Sequence, residues 1–487
     1  MQTSHNTINL TELAKESLIE RRLLPDFPSA ALKEANQMRE AAQFIPSDAK
    51  DMRHLLWFSL DNDDSRDLDQ ITYAEMTTSS SYKIYVAIAD VDSLVKKDSP
   101  IDLYAQQNTT SIYTPTKIFP MLPEKLSTNL TSLNENEDRL AIIVEVDIDI
   151  NGAQLNYTIY RAYVRNKAKL AYNGVSDWLD DLAAAPDAVQ KEIELDRQIR
   201  LQDKIATILR HYRHQKGALT LQTIEPYPVF DGQTIIDLRT TTKNRGRNLI
   251  EDFMISANQA TANFLKNHRQ PSFRRVVRIP KRWNRIIDIA KEYKIDLPPD
   301  PDAIALDQFL KERCRVDPLH FPDLSLTIIK LLGNGEYVVE YPDESPIGHF
   351  SLAVTDYTHS TAPNRRFPDL ITQRLIKSIL DHQPSPYSNI ELEKLARQCT
   401  EKEDDVQKVE RKMKKSAACL LLFSKINQEF DALVTGSGPK GTWVRVMTPP
   451  VDGKLIKGFE NLDVGDKIRV KLIHVDVQKG FIDFIRI

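Results

Sequence analysis

The sequence predicts an α+β fold: a mixed β-sheet backed by long helices, a small closed β-barrel after it, and a short helical segment in front. Three observations carry this. Apolar strand-like runs with hairpin punctuation fill residues 57–170, helical periodicity dominates residues 186–426, and the C-terminal part returns to short β-rich runs split by Gly, Pro and Asp. With 487 residues, the chain has room for roughly two to four domains and for a core that needs no disulfide staple. The boundaries expected are 1–50, 51–427 and 428–487.

Composition narrows the function classes. Lys and Arg total 65 against 69 Asp and Glu, a formal charge of −4. That excludes a histone-type basic binder but not a localised basic groove. The three cysteines, Cys314, Cys399 and Cys419, form no CxxC pair. A disulfide framework and a Cys-rich zinc site are therefore not expected, and a reducing cytoplasm is. No apolar run approaches the ~18 residues of a membrane span. The opening MQTSHNTINL has no basic region followed by an apolar stretch, so no secretory signal is expected.

In chain order, LTELAKESLIERRLL (10–24) has helical apolar spacing, with Thr11, Glu12 and Glu16 near its start and Pro25 and Pro28 ending it. LLWFSLDNDDSRDLDQITYAE reads as strand, acidic loop, strand. YKIYVAIADV is a buried strand ending at Asp90. LAIIVEVDIDI (140–150) is followed by Asn151-Gly152, a strong short-range hairpin signal, and AQLNYTIYRAYVRNKAKL is the returning strand. Helices are then expected at 186–211, 249–267, 368–381 and 390–426, the last highly charged in its middle. The tail, with turn residues between short strands, predicts a barrel of about five strands. Trp443, Arg445, Lys454, Lys457 and Lys471 would give it an aromatic and basic face for single-stranded nucleic acid.

The acidic loop is the strongest chemical signal. Residues 61–69, DNDDSRDLD, place Asp61, Asp63, Asp64, Asp67 and Asp69 between two apolar strands. Five mutually repelling carboxylates need a counter-charge, and a divalent cation with oxygen ligands supplies one; the bland alternative is a solvated loop. A calcium loop of the EF-hand type would need Gly sixth and Glu twelfth, where this chain has Arg66 and Thr72. A Mg²⁺ site with positions left open for phosphate oxygens fits better.

SLDNDDSRDLDQ followed by VAIADV resembles the signature of the ribonuclease II (RNB) family of processive 3′→5′ exoribonucleases. The family pattern is Asp, five residues, Asp, any residue, then two Asp. This chain supplies Asp61, Asp67 and Asp69, with Gln70 in the fourth place. IYTPTKIFPMLPEKLSTNLTSLNENEDRLA, KAKLAYNGVSDWL, NLIEDFMISANQATANFL and HFSLAVTDYTHSTAPNRRFPDLITQRLI resemble further family segments in the right order, and the tail resembles the S1-type OB domain that ends these enzymes.

The resemblance implies single-stranded RNA as partner, a helix-walled RNA channel, a monomer without an obligate protein partner, and Mg²⁺ (or Mn²⁺) as cofactor. Two such ions about 3.5–4 Å apart activate water and neutralise a phosphorane. Asp61, Asp69 and Gln70 match metal positions, with Asp69 and Asp67 catalytic. An amide ligates more weakly than a carboxylate, so Gln70 weakens one metal site, or Asp63 or Asp64 compensates, or the chain is a catalytically weakened RNA-binding regulator of the same family. A phosphodiesterase for a small nucleotide would leave the C-terminal barrel without a use.

Arg365 matches the arginine at the scissile phosphate; Arg366 either contacts backbone phosphate or is solvated. Tyr113 and Phe273 match the two aromatics that clamp the 3′ bases, each against a reading as core packing. Tyr357, His359 and Thr361 are expected along the RNA path, and Glu410 near its active-site end, unless KVERKMKK is only a solvated helix face. Arg274, Arg275, Arg278, Lys281, Arg282, Arg365 and Arg366 would make a basic tunnel. Trp443 would bind RNA from the barrel. Where family members often have two cold-shock domains, about 50 helical residues stand here, which implies a more open intake funnel and a weaker grip on long RNA.

Overall fold

The computed structural model describes residues 9–41, 48–78, 81–222, 225–231, 234–241, 243–318 and 320–487. The first eight residues, on which part of the leader argument rests, lie outside them.

Helices α1 (Leu10–Glu20) and α2 (Ser29–Gln37) come first. α1 is capped not at Thr11 but by Asn9, whose side-chain oxygen accepts from the Thr11 and Glu12 amides. Its apolar stripe, Leu10, Leu13, Ala14 and Leu18, is buried against Val406, Val409, Met413 and Ala417 of a helix almost 400 residues later. The appendage is thus a brace on the main body.

The central sheet follows: β1 (Lys50–Asp51), β2 (Trp57–Asp61), β3 (Gln70–Thr78) and β4 (Ser81–Ala89), then α3 (Pro100–Asn108), the small hairpin β5 (Ile112–Tyr113) and β6 (Ile118–Phe119), and the long pair β7 (Asp138–Asp149) and β8 (Gln154–Ala171). The strand order is β1-β8-β2-β3-β4-β7, with β7 also paired to β8. β8 pairs antiparallel with β7 over its first part and parallel with β2 over its last. One strand therefore curls the sheet back on itself and delivers Asp61, at the end of β2, beside Ala171. The Asn-Gly turn forms as expected. Gly152 has φ +97°, and a Cβ there would stand 2.9 Å from the Ile208 carbonyl oxygen.

Helices α4 (Tyr172–Leu179), α5 (Asp187–Lys191), α6 (Ile193–Gln215) and α7 (Arg245–Asn267) cover the sheet. The helix expected over 186–211 is thus broken at Glu192, which is extended and caps α6. The hairpin β9 (Glu225–Asp231) and β10 (Thr234–Thr241), the pair β11 (Ser272–Val276) and β12 (Glu336–Glu340), and helices α8 (Trp283–Glu292), α9 (Ala303–Val316) and α10 (Phe321–Leu332) were not anticipated. α8–α10 pack a second core around Ile286, Leu306, Phe309 and Phe321.

α11 (Phe367–Leu380) and α12 (Asn389–Leu422) lead into the closed barrel of β13 (Glu429–Gly438), β14 (Gly441–Val446), β15 (Val451–Lys457), β16 (Lys467–Asp476) and β17 (Phe481–Arg486). Alternating buried residues such as Val434, Val444, Leu455, Leu472 and Phe484 fill it.

The barrel is docked on α12. The Cys419 thiol lies 3.3 Å from the Phe481 carbonyl oxygen, and Gly480, φ +64°, would put a Cβ 2.9 Å from the Lys412 carbonyl oxygen. Gly480→Ala is expected to cost about 1–3 kcal/mol, from left-handed strain plus overpacking. Urea denaturation of the variant against wild type measures it; an unchanged midpoint would show that this joint tolerates a methyl group.

Candidate active site

Strands β2 and β3 hold the two ends of the acidic loop, and a turn at 132–133 holds its middle. The Leu68 amide donates to Ser132 Oγ at 2.9 Å, Ser132 Oγ donates to the Arg66 carbonyl at 3.1 Å, and the Leu133 amide donates to the Leu68 carbonyl at 2.9 Å. Leu68 is buried as an anchor. Alternation then turns Asp67 and Asp69 to one side. Ser65 Oγ donates to Asp61 Oδ2 at 3.0 Å and lies 3.4 Å from Asp67 Oδ1, so one hydroxyl stands between two carboxylates. Asp63 is exposed and faces away, with its Oδ2 accepting from Asn173 Nδ2 at 3.3 Å.

Asp69 is 2% exposed. A buried carboxylate needs strong partners, and they come from the loop ahead of α11. The Asn364 amide donates to Asp69 Oδ1 at 2.8 Å and Arg365 Nε donates to Oδ2 at 3.1 Å. That loop is itself fixed from several elements. Thr131 Oγ1 donates to Asn364 Oδ1 at 2.5 Å, Thr110 Oγ1 and the Ser111 amide donate to the Arg365 carbonyl, and Asn258 Oδ1 accepts from the Ser360 amide. Fully buried Asp369 uses Oδ1 to accept from the Ala362 amide and from Arg366 Nη2, each at 2.8 Å.

The result is a cleft of about 260 Å³, walled by Asp61, Asp64, Asp67, Tyr113, Glu124 and Arg365 among others. Tyr113 stands at its edge, 38% exposed, and its amide donates to Glu410 Oε1 at 2.9 Å. Burial pushes Asp69 up to about 7; Arg365 opposes this and Asp67 adds to it. Burial also raises Asp67, against Arg365, and pushes the Tyr113 hydroxyl up to about 12. Arg365 is driven the other way, above the ordinary arginine value, because Asp69, Tyr113, Asp61 and Asp67 outweigh its burial. It stays a cation throughout.

Of the residues singled out from sequence, Asp61, Asp67, Tyr113 and Arg365 line this cleft, Asp69 is buried behind it against Arg365, and Glu410 lies behind Tyr113. Others do not. Phe273 is 1% exposed, packed 5.6 Å from the Tyr337 ring; it is a core residue, because β11 buries that face. Gln70 is buried on β3 opposite Ile88 and is not part of the cleft wall. Arg366 turns inward to Asp369. Trp443 is half-buried on β14, across from Lys454, away from the cleft. Tyr357 and Thr361 are buried and His359 is half-buried, with Tyr357 between the His349 and His359 rings.

The expected basic tunnel is largely neutralised. Arg274 lies between Glu340 and Asp356, Arg275 pairs with Glu403, Arg278 with Glu336 and Arg282 with Asp463. Sequence reasoning missed Glu124, Ser127 and Thr128 of the cleft wall, and the Asn364 amide. The first three sit in the MLPEKLST segment already recognised; a backbone N–H has no sequence signal.

Among the described residues no three His, Cys, Asp or Glu side chains converge on one point. The donors that do face one another, Asp61, Asp67 and the Ser65 hydroxyl, are all oxygen, which suits a hard divalent cation. The Arg365 guanidinium now carries the positive charge that Asp69 needs.

The RNB domain profile matches residues 49–382, and that of the RNase II-type exonuclease C-terminal S1 domain matches residues 428–486. The chain belongs to the RNB family. Ribonuclease R of Escherichia coli K12 is 26% identical over 502 residues, covering 94% of this chain and 60% of the relative. That of Mycoplasma pneumoniae is 31% identical over 441 residues, 87% and 59%. The chain spans about 60% of the length of such relatives.

Two solved structures share the fold. Mycoplasma genitalium RNase R in complex with ribose-methylated single-stranded RNA has a TM-score of 0.85 at 24% identity, covering 97% of this chain and 77% of that one. Yeast Ssd1, described as a pseudonuclease, has a TM-score of 0.70 at 14% identity, covering 97% and 59%. RNB-family nucleases depend in general on divalent metal ions. Among the described residues no helix is long and apolar enough to cross a membrane.

In the metal-free protein Asp69 is expected to titrate near pH 7, read from its carboxyl ¹³C shift. Arg365→Gln should raise that value and Asp67→Asn lower it. An Asp69 that titrates near 3.8 would contradict the burial argument.

Proposed function

We propose that this protein is a processive 3′→5′ exoribonuclease that hydrolyses single-stranded RNA to nucleoside 5′-monophosphates. In this reading it acts as a monomer in the cytoplasm and uses Mg²⁺, with Mn²⁺ as the substitute. The observation that carries the reading is the convergence of Asp61, Asp67 and Arg365 on one cleft edged by an exposed tyrosine ring, with buried Asp69 bonded to Arg365 behind it.

In this reading Asp61 and Asp67 hold the cation, with Asp69 joining them as its pairing with Arg365 loosens. The bound ion supplies an activated water and charge neutralisation. Arg365 commits Nε to Asp69, which leaves its terminal nitrogens for the phosphate oxygens, where a fixed cation stabilises developing charge. Tyr113 stacks on a 3′-terminal base at ~1–3 kcal/mol without regard to base identity. Asp369 holds the loop that carries Arg365 and acts only through it.

The weakened-regulator reading has one observation in its favour: Gln70 stands where the family pattern has a carboxylate. It would give binding without turnover.

A time course on 5′-labelled single-stranded RNA separates the two. One short labelled product without a ladder is expected, lost in EDTA and in Asp69→Asn; tight binding with no cleavage would sink the nuclease reading. Gln70 lies outside the cleft wall, so Gln70→Asp is expected to leave the metal concentration needed for half-maximal rate unchanged. A drop of about tenfold would show that position 70 reaches the metal after all. Asp369→Asn is expected to cost about ten- to a hundredfold in kcat with KM little altered. A purely structural role for Asp369 would instead lower the unfolding midpoint and leave kcat per folded molecule intact.

A further inference from the structure

A second cleft of about 260 Å³ lies where α12, α10, the β9–β10 hairpin and the barrel meet. Its wall on α12 is the row Gln407, Glu410, Arg411, Lys414, Lys415 and Ala418, a helical i, i+3, i+4 stripe that flanks the one packed on α1. α10 adds Lys330; the barrel adds Arg445 and Asp452; Pro228 and Leu238 of the hairpin give it an apolar side.

The charge here is unbalanced. Five cationic side chains face two acidic ones, in a protein whose formal charge is −4. Both acids are already engaged. Asp452 is held bidentately by Arg445, at 2.9 Å for each contact, and Glu410 accepts from the Tyr113 amide. Lys330, Arg411, Lys414 and Lys415 have no ion-pair partner among the described residues, whereas on the same helix Lys408 pairs with Asp405 and Lys412 with Glu20. Burial lowers Lys415 and Lys330 from the ordinary lysine value; Asp452 opposes this and Arg411 adds to it. Gathering like charges in a partly enclosed cleft is costly unless an anion joins them.

We infer that this cleft is a second phosphate-binding site, one that takes a phosphodiester or phosphomonoester group against Arg411, Lys414 and Lys415. Glu410 belongs to this cleft and touches Tyr113 of the first, so the two clefts are neighbours along α12. An RNA strand whose 3′ end reaches the first cleft can place an upstream phosphate in the second. A free nucleotide released from the first offers the same chemistry. Only the RNA arm rests on the proposed function.

The test uses the full chain, wild type against the K414Q/K415Q and K414R/K415R pairs, in EDTA so that RNA stays intact. Fluorescence anisotropy follows 5′-labelled single strands of ~15 and ~5 nucleotides, and ³¹P NMR follows inorganic phosphate and UMP. The glutamine pair should weaken the ~15-nucleotide strand about tenfold and flatten its salt slope by about 1.4, two lost phosphate contacts on a single strand. The ~5-nucleotide strand should be unaffected and the arginine pair near wild type. Loss of phosphate and UMP binding with the long strand unchanged would also support the site and assign it to free nucleotide. No difference in any probe, or equal loss in the arginine pair, would overturn it. A wild type that binds but never cleaves would fail the nuclease reading while leaving these comparisons intact.

Discussion

A carboxylate with 2% exposure cannot remain charged without partners, and the pairing of Asp69 with Arg365 and the Asn364 amide supplies them. The pairing joins residues almost 300 positions apart, one just ahead of a strand of the central sheet and the other preceding a buried helix. Everything at the candidate site is arranged around that constraint. The 132–133 turn fixes the acidic loop from one side. Thr110, Thr131, Asn258 and Asp369 fix the arginine loop from the other. A rigid frame of this kind lets one guanidinium answer three carboxylates and still face the cleft.

α12 is the second organising element. Its 34 residues pack α1 on one face, present Glu410 to Tyr113 midway, and receive the barrel at Cys419 and Gly480 near their end. The helix thereby sets the distance between the proposed catalytic cleft and the barrel. Its middle is highly charged because one face must stay solvated or meet an anion while the face beside it is core. The unpaired Arg411, Lys414 and Lys415 fall on the former. Sheet, helices and barrel depend on apolar packing, and the acidic loop adds only Leu68 to that packing.

How much was legible from sequence varies by residue. Hairpin 138–171, the helices at 245–267, 367–380 and 389–422, and the five-stranded barrel follow from local periodicity and turn chemistry, which the chain states in adjacent residues. The acidic loop was visible because five carboxylates in nine positions demand a counter-charge. Phe273 was misread because its neighbours look basic and exposed, while pairing with β12 turns its ring to the core. The arginines beside it were misread for a related reason. Their partners, Glu340, Asp356 and Glu403, lie more than 60 residues away, and no local pattern announces them.

The sequence by itself determined the fold class, the family, and the residue types that the site would use, since these depend on composition, spacing and short motifs. Only the tertiary structure decided which of those residues meet. It put Asp61, Asp67 and Arg365 on one cleft with Asp69 buried against Arg365, turned Arg366 to Asp369, kept Gln70 out of the cleft wall, and left Arg411, Lys414 and Lys415 of α12 without an ion-pair partner among the described residues. The physical reason is that burial and charge pairing are properties of surfaces brought together by chain segments far apart, and a linear pattern carries only what neighbouring residues impose on one another.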